Sequence, residues 1–421
     1  MIQSEILSNG VRFIREPITT VRSCALGIFV ATGSRHESPA ESGAAHFIEH
    51  MLFKGTADRS AAQLAAESDF IGGQLNAYTT KETTCFYVRC LDEHLGQAAD
   101  LLCDMFFHSR FDEGDVQTEL GVILEEIGMY EDTPDDLVAE RLAAAIYRRS
   151  PLGRPILGRE KTLRTMTGES LKAYKEAHYR GGDVVVALSG NFSEVEVNRL
   201  REEFSRLPAG QNPSPKPAVY RPAVTVKKRA IEQNHLTLAF PGLAYGHVRR
   251  YEMQVLSSVL GGGVSSRLFQ NVREQQGLCY SIYSYGSAHE DTGLLCIYTA
   301  LGKDTEQQAL ATMCDTIAQL AADGPTAEEV HRAREQSKSN VLMGMESTQS
   351  RMSRLGRSSL FHDHIPSAEE IAAAYDAVTR QGVQDLAREV FDFGTASLSA
   401  VGRIATSEEY QGLLHKYCTC E

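Results

Sequence analysis

Apolar positions along this chain alternate between two periods. Stretches 61–71, 91–105, 113–130, 305–322 and 327–345 place hydrophobic side chains three and four residues apart, the spacing of an amphipathic helix. Between them lie short runs with closely spaced apolar residues, at 25–33, 184–191, 236–242 and 396–403, which predict strands. Two further runs, 74–78 and 83–89, are joined by polar Thr79-Thr80-Lys81-Glu82 and read as a hairpin. This mixture predicts an α+β protein with mainly antiparallel sheets packed against helices, and not a doubly wound parallel sheet. No Walker loop or G-x-G-x-x-G occurs. Gly261-Gly262-Gly263 lacks the following Lys and Ser/Thr of a phosphate cradle and reads as a turn.

The same pattern occurs twice. Residues 207–217 hold four prolines in eleven positions, which excludes both a helix interior and a central strand. On either side, a strand ending near Gly33 corresponds to one ending at Gly242, and the strand-turn-helix around Gly190 corresponds to that around Gly402. Both offsets are close to 210 residues, as a duplicated domain requires. The expected organisation is a first domain at 1–207, a Pro-rich linker at 208–222 and a homologous second domain at 223–421.

Composition narrows the function. The 55 acidic against 42 basic side chains leave a net charge of −13, which argues against a nucleic-acid footprint. No run of about 18 apolar residues is present, so no membrane span is expected. Nine scattered cysteines without C-x-x-C clusters fit free thiols in a reducing compartment. The N-terminus shows no charged region followed by an apolar one, and a cytoplasmic location is therefore expected.

Candidate chemistry concentrates in Ala44–Phe53, where His46, Glu49 and His50 form H-x-x-E-H. Helical positions i and i+4 lie about 40° apart around the axis, so both imidazoles project from one face and can grip one divalent ion. Two histidines on zinc call for a third protein ligand, with an open position if the site is catalytic. Downstream, Val116, Leu120, Ile123, Leu124 and Ile127 form an apolar stripe with Glu119 and Glu126 on one border and Glu125 nearly opposite. Glu126 is therefore the expected third ligand, Glu119 a supporting carboxylate and Glu125 a solvated residue.

His46-Phe47-Ile48-Glu49-His50 followed by Glu126 within Val122-Ile123-Leu124-Glu125-Glu126-Ile127 resembles the pitrilysin/insulysin (M16, inverzincin) metallopeptidases. The likeness is to the short-chain branch that includes the mitochondrial processing peptidase β subunit and bacterial processing-protease-like proteins. That resemblance covers the whole chain and implies one zinc per chain on His46, His50 and Glu126, with Glu49 as general base and Glu119 as a second acid behind the ligands. It also implies that Asn271–Ser281 is an R/Y element, in which Tyr280 assists the developing oxyanion and Arg273 holds substrate backbone. Leu75, Asn76, Ala77 and Tyr78 resemble the family's substrate-binding edge, to which an extended peptide adds as a strand. The implied activity is zinc-dependent endopeptidase action on short or unfolded polypeptides within an enclosed chamber. The chain would form half of a processing-peptidase-like clamshell, closed by a homodimer or by a heterodimer with a related chain, with Arg273 and Tyr280 of one subunit serving the zinc of the other. The alternative is a non-catalytic scaffold or peptide-binding subunit, since relatives of this fold serve as structural subunits of respiratory complexes.

Overall fold

The computed structural model describes residues 2–362 and 364–418. Cys420 lies outside them, and the eight described cysteines are free thiols. Two compact units are present, each an α+β assembly around one mixed sheet. In the first unit the strands are β1 (Gln3–Ile6), β2 (Arg12–Pro17), β3 (Ser23–Val30), β4 (Gln74–Thr79), β5 (Thr84–Leu91) and β6 (Val184–Gly190), ordered β1-β2-β6-β3-β5-β4. The second unit has β7 (Val224–Lys228), β8 (Asn234–Gly242), β9 (Cys279–Ala288), β10 (Gly293–Leu301) and β11 (Ser397–Gly402), ordered β7-β11-β8-β10-β9.

Without β1, the two orders are the same. The pairing sense repeats as well, since β2 with β6 and β7 with β11 run parallel while every other pair is antiparallel. The strand-end glycines Gly190 and Gly402 both have positive φ, at 121° and 142°. The duplication expected from sequence is thus present strand by strand.

The duplication runs along the chain in halves, but compaction does not. The first unit consists of Met1–Ile127, Arg154–Lys216 and Met343–Ile365; the second takes Gly128–Gly153, Pro217–Leu342 and Pro366–Glu421. Each half lends one helix to the other half's sheet. Thr348–Phe361 lies on the first sheet, where Met352 and Leu355 pack with Ile14, Ala25, Phe29, Val185 and Ala187. Pro134–Ile146 lies on the second, where Leu137 and Val138 meet Tyr298, Ala300 and Val401, and Leu142 and Ile146 meet Ala239 and Cys296. The Pro-rich stretch carries neither helix nor strand, and the chain passes between units at Lys216 and Pro217.

Alternation places the other face of the first sheet against the helices that carry the candidate chemistry. Leu26, Ile28, Val30, Phe86 and Val88 point there and bury Phe47, Ile48 and Met51 of the helix Ala44–Met51. On the exchanged-helix side the approach is closer. A Cβ on Gly356 would fall well inside contact of the Phe29 ring, and one on Gly27 would collide with Met352. Gly356→Ala is therefore expected to cost about 1–3 kcal/mol through overpacking, read as a lower midpoint in denaturant unfolding. An unchanged midpoint would show that the ring can move aside.

Candidate metal centre

The helix Ala44–Met51 is short and apolar, and six of its eight residues are buried, His46 among them. Its N-terminal cap is supplied from a distance: Glu37, buried, accepts from Gly43 N at 2.8 Å and from Ala45 N at 3.0 Å. Backbone donors at a helix start have no intrahelical partner, so a carboxylate spanning two of them anchors the helix. Opposite stands the helix Glu113–Asp132, whose buried Val116, Leu120 and Ile123 turn its acidic border toward the histidines.

The ligand-type atoms of His46, His50 and Glu126 all lie within 4.8 Å of one another. Both imidazole Nε2 atoms stand 3.6 Å from Glu126 Oε2, and the ring centroids are 4.7 Å apart. Glu119 is buried and sits behind His50, accepting from Nδ1 at 3.0 Å, while Lys54 Nζ pairs with its other oxygen at 2.7 Å. A proton held on Nδ1 leaves the Nε2 lone pair of His50 directed at the cluster, as a metal-bound histidine needs. His46 Nδ1 is buried with no hydrogen-bond partner among the described residues. Glu125 is exposed, as its position opposite the stripe implied.

Glu49, between the two histidines, points a carboxylate oxygen at Thr79, whose Oγ1 donates to Oε2 at 2.5 Å. Burial raises the Glu49 carboxyl above its ordinary value against the opposing pull of Thr79 and His50. Burial, reinforced by His50, holds His46 down to about 4, so its ring is neutral near pH 7. Burial also pulls His50 down, but Glu126 and Glu119 together lift it above the ordinary histidine value. Glu126 is lowered chiefly by His50. Two imidazoles, one of them backed by Glu119, and the Glu126 carboxylate make a donor set suited to zinc, and the residues present fit that ion.

Sequence comparison identifies the architecture. The insulinase (peptidase family M16) model matches residues 12–160, and the peptidase M16 inactive-domain model matches 165–337. A zinc protease of Bacillus subtilis, YmxG, is 44% identical over 96% of this chain and 100% of its own length. The chain belongs to peptidase family M16. A Streptomyces coelicolor member named as a zinc protease is 38% identical over 95% of this chain and 89% of its own length. Among solved structures, a Pseudomonas fluorescens chain described as a peptidase M16 inactive domain superposes with a TM-score of 0.90 at 20% identity, covering 96% of this chain and 98% of that one. A chain of complex III2 from Candida albicans superposes with a TM-score of 0.84 at 17% identity, covering 98% and 99%. At such identities, these structures carry the M16 fold alone.

The other sequence-nominated residues fall in two places. Leu75, Asn76, Ala77 and Tyr78 lie in β4, the terminal strand of the first sheet, and among the described residues only its β5 side is paired. Arg273 and Tyr280 lie in the second unit, Arg273 in a π-helical turn Phe269–Glu274 and Tyr280 at the start of β9. The guanidinium carbon of Arg273 stands 5.3 Å from the centre of the Tyr280 ring, and that tyrosine is 76% exposed. Sequence reasoning missed Thr79 and Lys54. Thr79 was within reach, because it follows Leu75 and Ala77 at the same alternation and so shares their face. Among the described residues, no helix is long and apolar enough to cross a membrane.

Proposed function

We propose that this M16 member is a zinc-dependent endopeptidase of short or unfolded polypeptides, with one zinc on His46, His50 and Glu126. The observation that carries the reading is the convergence of those three donors in one cluster with Glu49 on the same short helix. The names of the bacterial relatives support it. When bound, zinc would acidify water and polarise the scissile carbonyl. His46 and His50 would hold the ion from one helix face and Glu126 from the opposite helix, while Glu119 fixes the His50 ring. Glu49 takes the proton from the attacking water and returns it to the leaving amine, its raised affinity for a proton suiting both transfers. β4 offers its unpaired edge to an extended peptide, so main-chain pairing would select unfolded segments over folded domains.

We further propose that two chains close around the substrate as a homodimer, with Arg273 and Tyr280 of one serving the site of the other; a related partner chain would fill the same role. Closed two-fold assemblies are the commonest among soluble oligomers. A scaffold without catalysis is the competing reading, and the chain of complex III2 shares its fold with this one. The intact donor set favours catalysis. Purified protein incubated with a pool of unstructured peptides should yield fragments by mass spectrometry, none with a chelator present, and fragments again after zinc is restored. Sedimentation should give twice the chain mass. Stoichiometric zinc without any cleavage would overturn the catalytic reading.

A further inference from the structure

We infer that Thr79 is a positioning residue for Glu49, tying the general base to the strand that receives the peptide; this rests on the endopeptidase reading above. Along β4, Leu75 and Ala77 pack toward the cluster that holds the helix Ala44–Met51, whereas Tyr78 joins the opposite cluster beneath the exchanged helix. Thr79 continues the first series and so meets that helix, where its hydroxyl is 2.5 Å from Glu49 Oε2. A donated hydrogen bond occupies one carboxylate oxygen and fixes the plane of the group, leaving the other oxygen to meet water.

The donor is itself held rigidly. Thr80, next in sequence, closes the hairpin: its N–H donates to Thr83 O at 2.8 Å, and its Oγ1 accepts from Thr83 N at 2.9 Å and from Glu82 N at 3.2 Å. The same turn is fastened to the segment before the metal helix, with Arg35 N donating to Lys81 O at 2.7 Å and the buried Arg35 guanidinium pairing with Glu82 at 2.5 Å. Two residues further on, Glu37 caps the helix that bears His46, Glu49 and His50. One continuous framework therefore links the β4 edge, the Thr79 hydroxyl and the metal helix. A carboxylate aimed by such a framework needs little reorganisation when water is attacked, and a displacement of about 1 Å at a reacting group can cost up to 10²-fold in rate.

The test compares Thr79→Val, which keeps shape and strand preference but removes the hydroxyl, with Thr79→Ser, which keeps the hydroxyl. Each is assayed for zinc content, kcat and KM on a peptide the wild type cleaves. For the Val variant, stoichiometric zinc, a kcat lowered about tenfold and a KM within about twofold of wild type are expected, with the Ser variant returning most of the rate. A Val variant as fast as wild type overturns the inference. So does a rise in KM shared by both variants, or loss of zinc or fold in the Val variant, because the side chain would then serve strand packing. A wild type that binds zinc and cleaves no peptide overturns the endopeptidase reading and this inference with it.

Discussion

Glu49→Gln should keep near-stoichiometric zinc and lose turnover by at least about 10²-fold, the lower end of what general acid–base catalysis supplies. Glu49 does not belong to the cluster of three converging donors, and its carboxylate engages Thr79. The amide retains the size of the acid and can still accept from the Thr79 hydroxyl, so the helix Ala44–Met51 keeps its packing. What it lacks is a site for the proton of the attacking water. Metal analysis and steady-state rates on one preparation separate the two roles. Appreciable hydrolysis by the zinc-loaded variant would remove Glu49 from the chemistry.

Removal of a ligand should act through the metal instead. His46→Ala, His50→Ala and Glu126→Gln each leave two protein donors, and each is expected to lose both zinc and activity, whereas Glu125→Gln keeps both because its side chain is exposed. Glu119→Gln should stand between these, weakening zinc about 10- to 100-fold by releasing the His50 ring. Metal competition titrations with a chromophoric chelator give all five affinities. Zinc must also displace the proton that Glu126 and Glu119 favour on His50, so affinity should fall as the pH is lowered through that residue's raised value. Full occupancy in the Glu126 variant would mean that another acid completes the site.

Much of this centre was legible because its determinants are local. A spacing of four put His46 and His50 on one helix face, and the apolar stripe of residues 116–127 separated Glu126 from Glu125 without any knowledge of what the stripe packs against. The helix 61–71 and the β4–β5 hairpin were likewise readable from period and turn chemistry. Long-range features were not. Amphipathicity shows that Thr348–Phe361 and Pro134–Ile146 each bury a face, but either sheet offers an apolar surface, so the exchange between halves leaves no trace in periodicity. Nothing in the local sequence marks Glu37 or Arg35 for a role; only the folded backbone brings one to a helix start and the other to Glu82.

The exchanged helices also set an order of events at the ribosome. The last strand of the first sheet, β6, is complete at Gly190, yet the helix that covers the Ile14, Ala25, Phe29 and Val185 side of that sheet begins only at Thr348. At translation rates of about 5–20 residues per second, the nascent chain carries this apolar face bare for on the order of 10 s. A chain released before residue 348 has no way to cover it. Quality control should therefore see a product terminated before this helix as unfinished, however complete its metal-binding half.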